Sequence, residues 1–151
     1  MKNTYDFLKT FMKKYPLTMA WRIKAHAKVV DEHIGADEEI LYAFAGQNNE
    51  SVVEIFNTYV VVFTNKRIAF AKKRLLFGYF FKSITPDMYN DLSVNKSLIW
   101  GNVTIDTVKE VIRMTNIDAK ALPEIDQRIN EIMINQRKEY GLENIKKNTK
   151  K

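Results

Sequence analysis

The sequence predicts an α+β fold: a strongly bent, seven-stranded antiparallel sheet, closed into a barrel by one C-terminal helix and preceded by two N-terminal helices. Three observations predict it. Residues 40–114 are rich in Val, Ile, Phe, Tyr and Thr and are cut by turn signals at short intervals. Those interruptions have hairpin length, whereas a parallel sheet needs long crossovers. A single isoleucine-bearing stripe at helical spacing then follows, suited to covering the open end of a curved sheet.

The elements follow in order. Tyr5, Leu8, Met12 and Tyr15 recur at helical spacing until Pro16 interrupts them. Ala20, Ile23, Ala27, Val30 and Ile34 form a second helical stripe, with Thr18 placed to cap its start and Gly35 placed to end it. Strands are expected at 40–46, 52–63, 67–72, 78–84, 89–94, 98–105 and 108–114. Turns are expected at Gln47–Glu50, Thr64–Lys66, Thr85–Asp87 and Asn95–Ser97. Val108, Ile112 and Met114 are in phase on the last strand, and Gly101 in mid-strand marks a bulge or a close backbone approach. Leu122, Ile125, Ile129 and Ile132 mark the closing helix. Pro123 fits its first turn, and Gly141 is the expected stop.

Composition bounds the function. The chain of 151 residues is 46% hydrophobic and 28% charged, an ordinary globular profile. It has no cysteine, which excludes disulfides, thiolate metal sites and cysteine nucleophiles and fits a reducing, cytoplasmic setting. No apolar run is long enough to span a bilayer, and charge interrupts the first fourteen residues, so no secretory signal is expected. The net charge of +6 is carried as +1 over residues 1–39, +2 over 40–118 and +3 over 119–151. The tail Lys146-Lys147…Lys150-Lys151 has no nucleic-acid-binding motif beside it, so nucleic acid is not an expected partner.

Enzyme signatures are missing. The five glycines are too scattered to cradle a phosphate, and neither a Walker loop nor a nucleophile elbow is present. His26 and His33 lie two helical turns apart, roughly 10 Å, too far to share a metal, and are expected at the surface. The acidic run Asp31, Glu32, Asp37, Glu38 and Glu39 lacks the glycine turns of a hard-cation site. No catalytic residue, metal ligand or cofactor is therefore expected.

Local motifs carry a resemblance. Glu38-Glu39-Ile40-Leu41 resembles the acidic "E-x-I-L" lead-in to the first strand of bacterial pleckstrin-homology-like (PH-like) domains. Thr64-Asn65-Lys66-Arg67-Ile68-Ala69-Phe70 is similar to their "T-[ND]-K-R-[LI]-x-[FY]" hairpin. Ser83–Pro86 with Asp91–Val94 resembles their proline turn and "I-x-S-V/I" strand, although Thr85 here separates Ile84 from the proline. Leu98–Ile105 resembles the glycine-centred "L-x-x-G-x-I-x-I" strand. The likeness covers about residues 37–135 and is greatest to the YokE-like branch. It implies a PH-like barrel and a binding or scaffolding module without catalysis. The expected organisation is a helical extension over 1–36, a PH-like domain over 37–140 and a basic tail over 141–151.

Candidate contacts follow from charge. Lys66, Arg67, Lys72, Lys73 and Arg74 form a basic cluster on the second hairpin and its exit, beside Leu75-Leu76-Phe77. Cations beside exposed apolar residues suit an anionic lipid surface, and simple solvation of loop ends is the plainer account. Phe77, Tyr79, Phe80 and Phe81 cannot all face one side of a strand, so the N-terminal helices or a partner must cover the outer set. A protein partner or self-association through those helices is the leading expectation, and contact with an anionic membrane is the alternative.

Overall fold

The structure, a computed structural model, describes residues 2–48 and 57–149. Among these the elements run α1 (Thr4–Lys14), α2 (Ile23–His33), β1 (Ile40–Gln47), β2 (Thr58–Thr64), β3 (Ile68–Lys73), β4 (Tyr79–Ile84), β5 (Tyr89–Lys96), β6 (Trp100–Thr107), β7 (Val111–Asp118) and α3 (Leu122–Thr149). All strand pairs are antiparallel, in the order β4-β3-β2-β1-β7-β6-β5. This is the curled sheet with a closing helix that the sequence predicts. Asn49, Glu50 and the expected strand start at Val52 lie outside the described residues, and Gln47 belongs to β1 and not to a turn. Val108 also departs from expectation. It lies in the β6–β7 turn, because Thr107 Oγ1 donates to the Glu110 carbonyl (2.6 Å) and accepts the Glu110 N–H (3.0 Å), closing the chain one turn later.

The concave face holds the larger core. Phe44, Val61, Phe63, Ile68, Phe70, Val103, Ile105, Met114 and Ile117 pack there against Leu122, Ile125, Ile129, Ile132 and Met133 of α3. Ile125 and Ile129 are fully buried, each contributing about 2 kcal/mol of hydrophobic stabilisation. On β6 the pattern alternates cleanly, with Gly101, Val103, Ile105 and Thr107 buried.

β1, β2 and β3 do not alternate, because both their faces are covered. Ala43, Ala45, Val60, Val62, Ala69 and Ala71 form a convex face of small side chains, packed under Leu8, Ala27, Val29 and Val30. Their size lets α1 and α2 approach the sheet closely. On β4, Phe81 stacks on His33 of α2 (4.1 Å between centroids, 9° between planes), and Tyr79 meets the same ring edge-on at 5.1 Å. The chain's own α2 thus lies against Tyr79 and Phe81 of this aromatic strand.

The segment between α1 and α2 lies along β7. Met19 N–H donates to the Asn116 carbonyl (2.9 Å), and Asp118 N–H donates to Thr18 Oγ1 (3.0 Å). Thr18 therefore satisfies the sheet and does not cap α2. α2 is entered instead through Arg22 in the left-handed region (φ 55°), whose guanidinium donates to the Lys73 carbonyl at 3.2 Å. His26 departs from expectation too: it is 2% exposed, wedged between α2 and β3. Its Nδ1 accepts the Lys73 N–H at 2.7 Å.

α3 starts where Gly101 permits. A Cβ at Gly101 would lie 2.4 Å from Leu122 Cδ1 and 2.8 Å from the Asn95 carbonyl oxygen. The helix then crosses the end of the barrel. Tyr42 donates to Glu124 (3.1 Å), Arg128 donates to the Leu41 carbonyl (3.2 Å) and Gln136 donates to the Thr64 carbonyl. It does not stop at Gly141 but runs on to Thr149. One glycine costs a helix about 1 kcal/mol, and no proline follows to end it.

Candidate functional site

The register fixes which parts of the chain share an end of the barrel. Gln47, the last residue of β1, pairs with both Thr58 of β2 and Thr115 of β7. Ala71, near the end of β3, pairs with Val60. The exit of β3, the start of β2 and the start of β7 therefore lie together at the end that α3 leaves open. Among the described residues two turns project there: 74–78 between β3 and β4, and 108–110 between β6 and β7.

The basic residues singled out from the sequence are divided between the two ends. β3 is six residues long, so about 20 Å separates Arg67 from Lys73. Lys66 is exposed on the β2–β3 turn, at the end covered by α3. Arg67 beside it is a clip. Its Nε donates to Glu38 Oε2 (2.9 Å), and one terminal nitrogen donates to Glu38 Oε1 (3.0 Å) and to the His33 carbonyl (2.8 Å). Burial would raise the Glu38 carboxyl, but the bonds from Arg67 and Thr64 hold it below the usual carboxylate range. Lys66 and Arg67 therefore do not converge with the other three.

Lys72, Lys73 and Arg74 stand at the open end. Lys72 points inward, donating to Asn57 with its ammonium 5.5 Å from the Tyr59 ring centroid. Lys73 has its backbone engaged by His26 and Arg22, which leaves its side chain exposed. Arg74 N–H bonds the Gly78 carbonyl (3.1 Å), and Gly78 closes the turn at φ 73°, a conformation that suits glycine. Between them Leu75, Leu76 and Phe77 are 77%, 81% and 85% exposed. Across the opening the β6–β7 turn presents exposed Val108, Lys109 and Val111. An ion pair from Lys82 on β4 to Glu110 spans the gap.

Inside the rim is a cavity of about 350 Å³, lined in part by Asn57, Tyr59, Phe70, Lys72, Phe80 and Ile112. It offers cations, amides and aromatic faces, groups that bind and orient. Among the described residues no cluster of His, Asp and Glu has the geometry to hold a metal ion. The sequence reading missed the second turn, 108–110, because Val108 is in phase with Ile112 and Met114 and looked like strand. The Thr107-x-x-Glu110 spacing, a hydroxyl able to bond three residues on, is the signal that marks it as a turn.

The Bacterial PH domain family model matches residues 34–131, which takes in every strand and the first part of α3. No curated protein matches the chain. Solved structures similar to it include two PH-domain proteins. One is a DUF1696 family protein with a pleckstrin-homology domain from Shewanella loihica PV-4, at 16% identity and TM-score 0.46, covering 71% of this chain and 92% of that one. The other is a pleckstrin homology domain from Shewanella amazonensis SB2B, at 15% identity and TM-score 0.44, covering 66% and 80%.

Proposed function

The chain belongs to the bacterial PH domain family, and from that premise we propose that it is a non-enzymatic, cytoplasmic binding module that docks with its open end on an anionic membrane surface. The sequence likeness over about residues 37–135 supports placing it in the YokE-like branch. One observation carries the membrane reading: two turns at the same end are both tipped by exposed apolar side chains and flanked by cations. Leu75, Leu76 and Phe77 stand on one, with Lys73 and Arg74 beside them; Val108 and Val111 stand on the other, with Lys109. Each cation near an anionic surface contributes about 1 kcal/mol, and an inserted leucine or phenylalanine about 2 kcal/mol. Among the described residues no helix is long and apolar enough to cross a membrane, so attachment through these side chains is peripheral.

Vesicle co-sedimentation tests this. Wild type is expected to pellet with phosphatidylglycerol-rich vesicles and not with phosphatidylcholine vesicles, and to release as salt rises. Lys73→Glu/Arg74→Glu and Leu76→Ser/Phe77→Ser are each expected to weaken binding at least about tenfold without lowering the melting temperature, since all four residues are exposed. No binding to anionic vesicles overturns the reading.

A protein partner has a separate observation in its favour. Leu98 (94% exposed), Ile99 and Trp100 on the β5–β6 hairpin adjoin exposed Leu17, whose carbonyl accepts the Trp100 indole N–H at 2.8 Å. This apolar patch suits a protein contact and is the site to pursue if vesicles do not bind.

A further inference from the structure

The chain enters α2 against the local rules of helix formation. Arg22 stands ahead of the helix at φ 55° and ψ 35°, the left-handed region, which a residue with a Cβ enters only at a cost. Its side chain makes no cap for the helix, a position where Ser, Thr, Asp or Asn is preferred. It also sets a positive charge at the positive end of the helix dipole. Asparagine would serve α2 better on each count. Local rules broken together at one residue point to a role beyond the fold.

The surroundings of Arg22 give that role. The segment ahead of it is tied to β7 through Met19, and the Trp21 N–H then donates to Thr58 Oγ1 (3.1 Å) at the start of β2. The Arg22 guanidinium donates to the Lys73 carbonyl (3.2 Å) at the end of β3. Val60 pairs with Ala71, so two residues further out Thr58 stands opposite Lys73. Trp21 and Arg22 therefore cross the outer rim of the open end, beside the turn that carries Leu75, Leu76 and Phe77. Trp21 is 38% exposed, and Arg22 is exposed as well. Indole, an apolar ring with one polar N–H, is a side chain that settles between headgroups and acyl chains. Among the described residues no carboxylate pairs with Arg22, and Lys73 and Arg74 continue its charge along the rim.

We propose that Trp21 and Arg22 form a third contact of the docking face. Trp21 seats in the headgroup region of an anionic bilayer, and Arg22 joins Lys73 and Arg74 on the anionic headgroups. This rests on the membrane reading above and extends it to the N-terminal part of the chain, which lies outside the family match over residues 34–131. The left-handed kink is what holds the pair at the rim: the segment before it is fixed to β7 and β2, and the helix after it lies over β3.

Tryptophan fluorescence tests this on the full chain. The other tryptophan, Trp100, begins β6, at the opposite end of that strand from the 108–110 turn. In Trp100→Phe the emission is that of Trp21, and phosphatidylglycerol-rich vesicles are expected to shift it to shorter wavelength and shield it from acrylamide. In Trp21→Phe, which reports Trp100, the emission is expected to stay unchanged. In co-sedimentation Trp21→Ala is expected to weaken binding about tenfold. Arg22→Gly is expected to weaken it about fivefold, while Arg22→Lys stays within about twofold of wild type. Arg22→Gly is also expected to melt no lower than wild type, since it relieves the left-handed backbone and the clash with the helix dipole. If the chain pellets with anionic vesicles but Trp21 emission does not move, or Trp21→Ala and Arg22→Gly bind like wild type, this inference is overturned and the membrane reading stands. A chain that does not pellet with those vesicles overturns both.

Discussion

Arg67 and Glu38 meet through two parallel hydrogen bonds of 2.9 and 3.0 Å, with the Glu38 side chain only 3% exposed. The pair joins the β2–β3 turn to the loop ahead of β1, and through the His33 carbonyl it also fixes the end of α2. Removing the guanidinium would leave an enclosed carboxylate without its partner, the costly way to break such a pair. Arg67→Ala is expected to lower stability by about 3 kcal/mol in urea denaturation, and Arg67→Lys to recover less than half of it, since an ammonium cannot make both bonds. A loss below about 0.5 kcal/mol would mean that solvent screens the pair.

His26 makes the fold acid-sensitive. Burial pushes its imidazole down to about 4, and the nearby Arg22 and Lys72 charges add to the effect. In the unfolded chain it titrates near its ordinary value, so stability is full above about pH 6.5 and is lost as pH falls toward 4. The ring must stay neutral at Nδ1 to accept the Lys73 N–H. Denaturation midpoints are expected to drop between pH 7 and pH 4.5 by the equivalent of about 2 kcal/mol. His26→Asn, which keeps an acceptor in place and does not titrate, is expected to flatten that dependence, leaving the part due to Glu38. An unchanged slope in the variant would place the acid sensitivity elsewhere.

Two glycines give a controlled contrast. Gly101→Ala would press a methyl into the backbone carbonyl of Asn95 as well as into Leu122, and the backbone cannot rotate away. A loss of about 2 kcal/mol is expected. Gly35→Ala meets nothing within 4 Å and is expected to be neutral or slightly stabilising. Thermal melts of the two variants in parallel check both, and equal midpoints would contradict the close approach of α3 to β6.

The fold was legible where burial is one-sided. β6 shows period-two alternation, and α3 shows its isoleucine stripe, because each has one apolar face. β1–β3 carry no such phase, and the small residues of their convex face hint at a cover without naming it. His26 looked like a surface residue because α2 is pressed on more than one side, which a single-stripe reading of a helix does not represent. The basic cluster misled for a related reason. Lys66 and Arg67 are close in sequence to Lys72, Lys73 and Arg74, but a strand places them at opposite ends. Arg67's partner, Glu38, lies 29 residues upstream, and nothing local announces it. The open end was visible in part through Lys73–Phe77; its other half, Val108–Val111, was hidden inside a segment read as strand.

The bonds from Thr18 and Met19 to Asp118 and Asn116 join parts of the chain about one hundred residues apart. At ribosomal speeds of about 5–20 residues per second, β7 emerges some 5–20 s after the segment it must receive. Through that interval the nascent N-terminal helices lack the β7 edge, and in its first part, until β3 has been made, they lack the convex face as well. Their apolar stripes are then open to chaperones or to neighbouring chains. The order of synthesis therefore makes the front of this protein among the last parts to reach its final place.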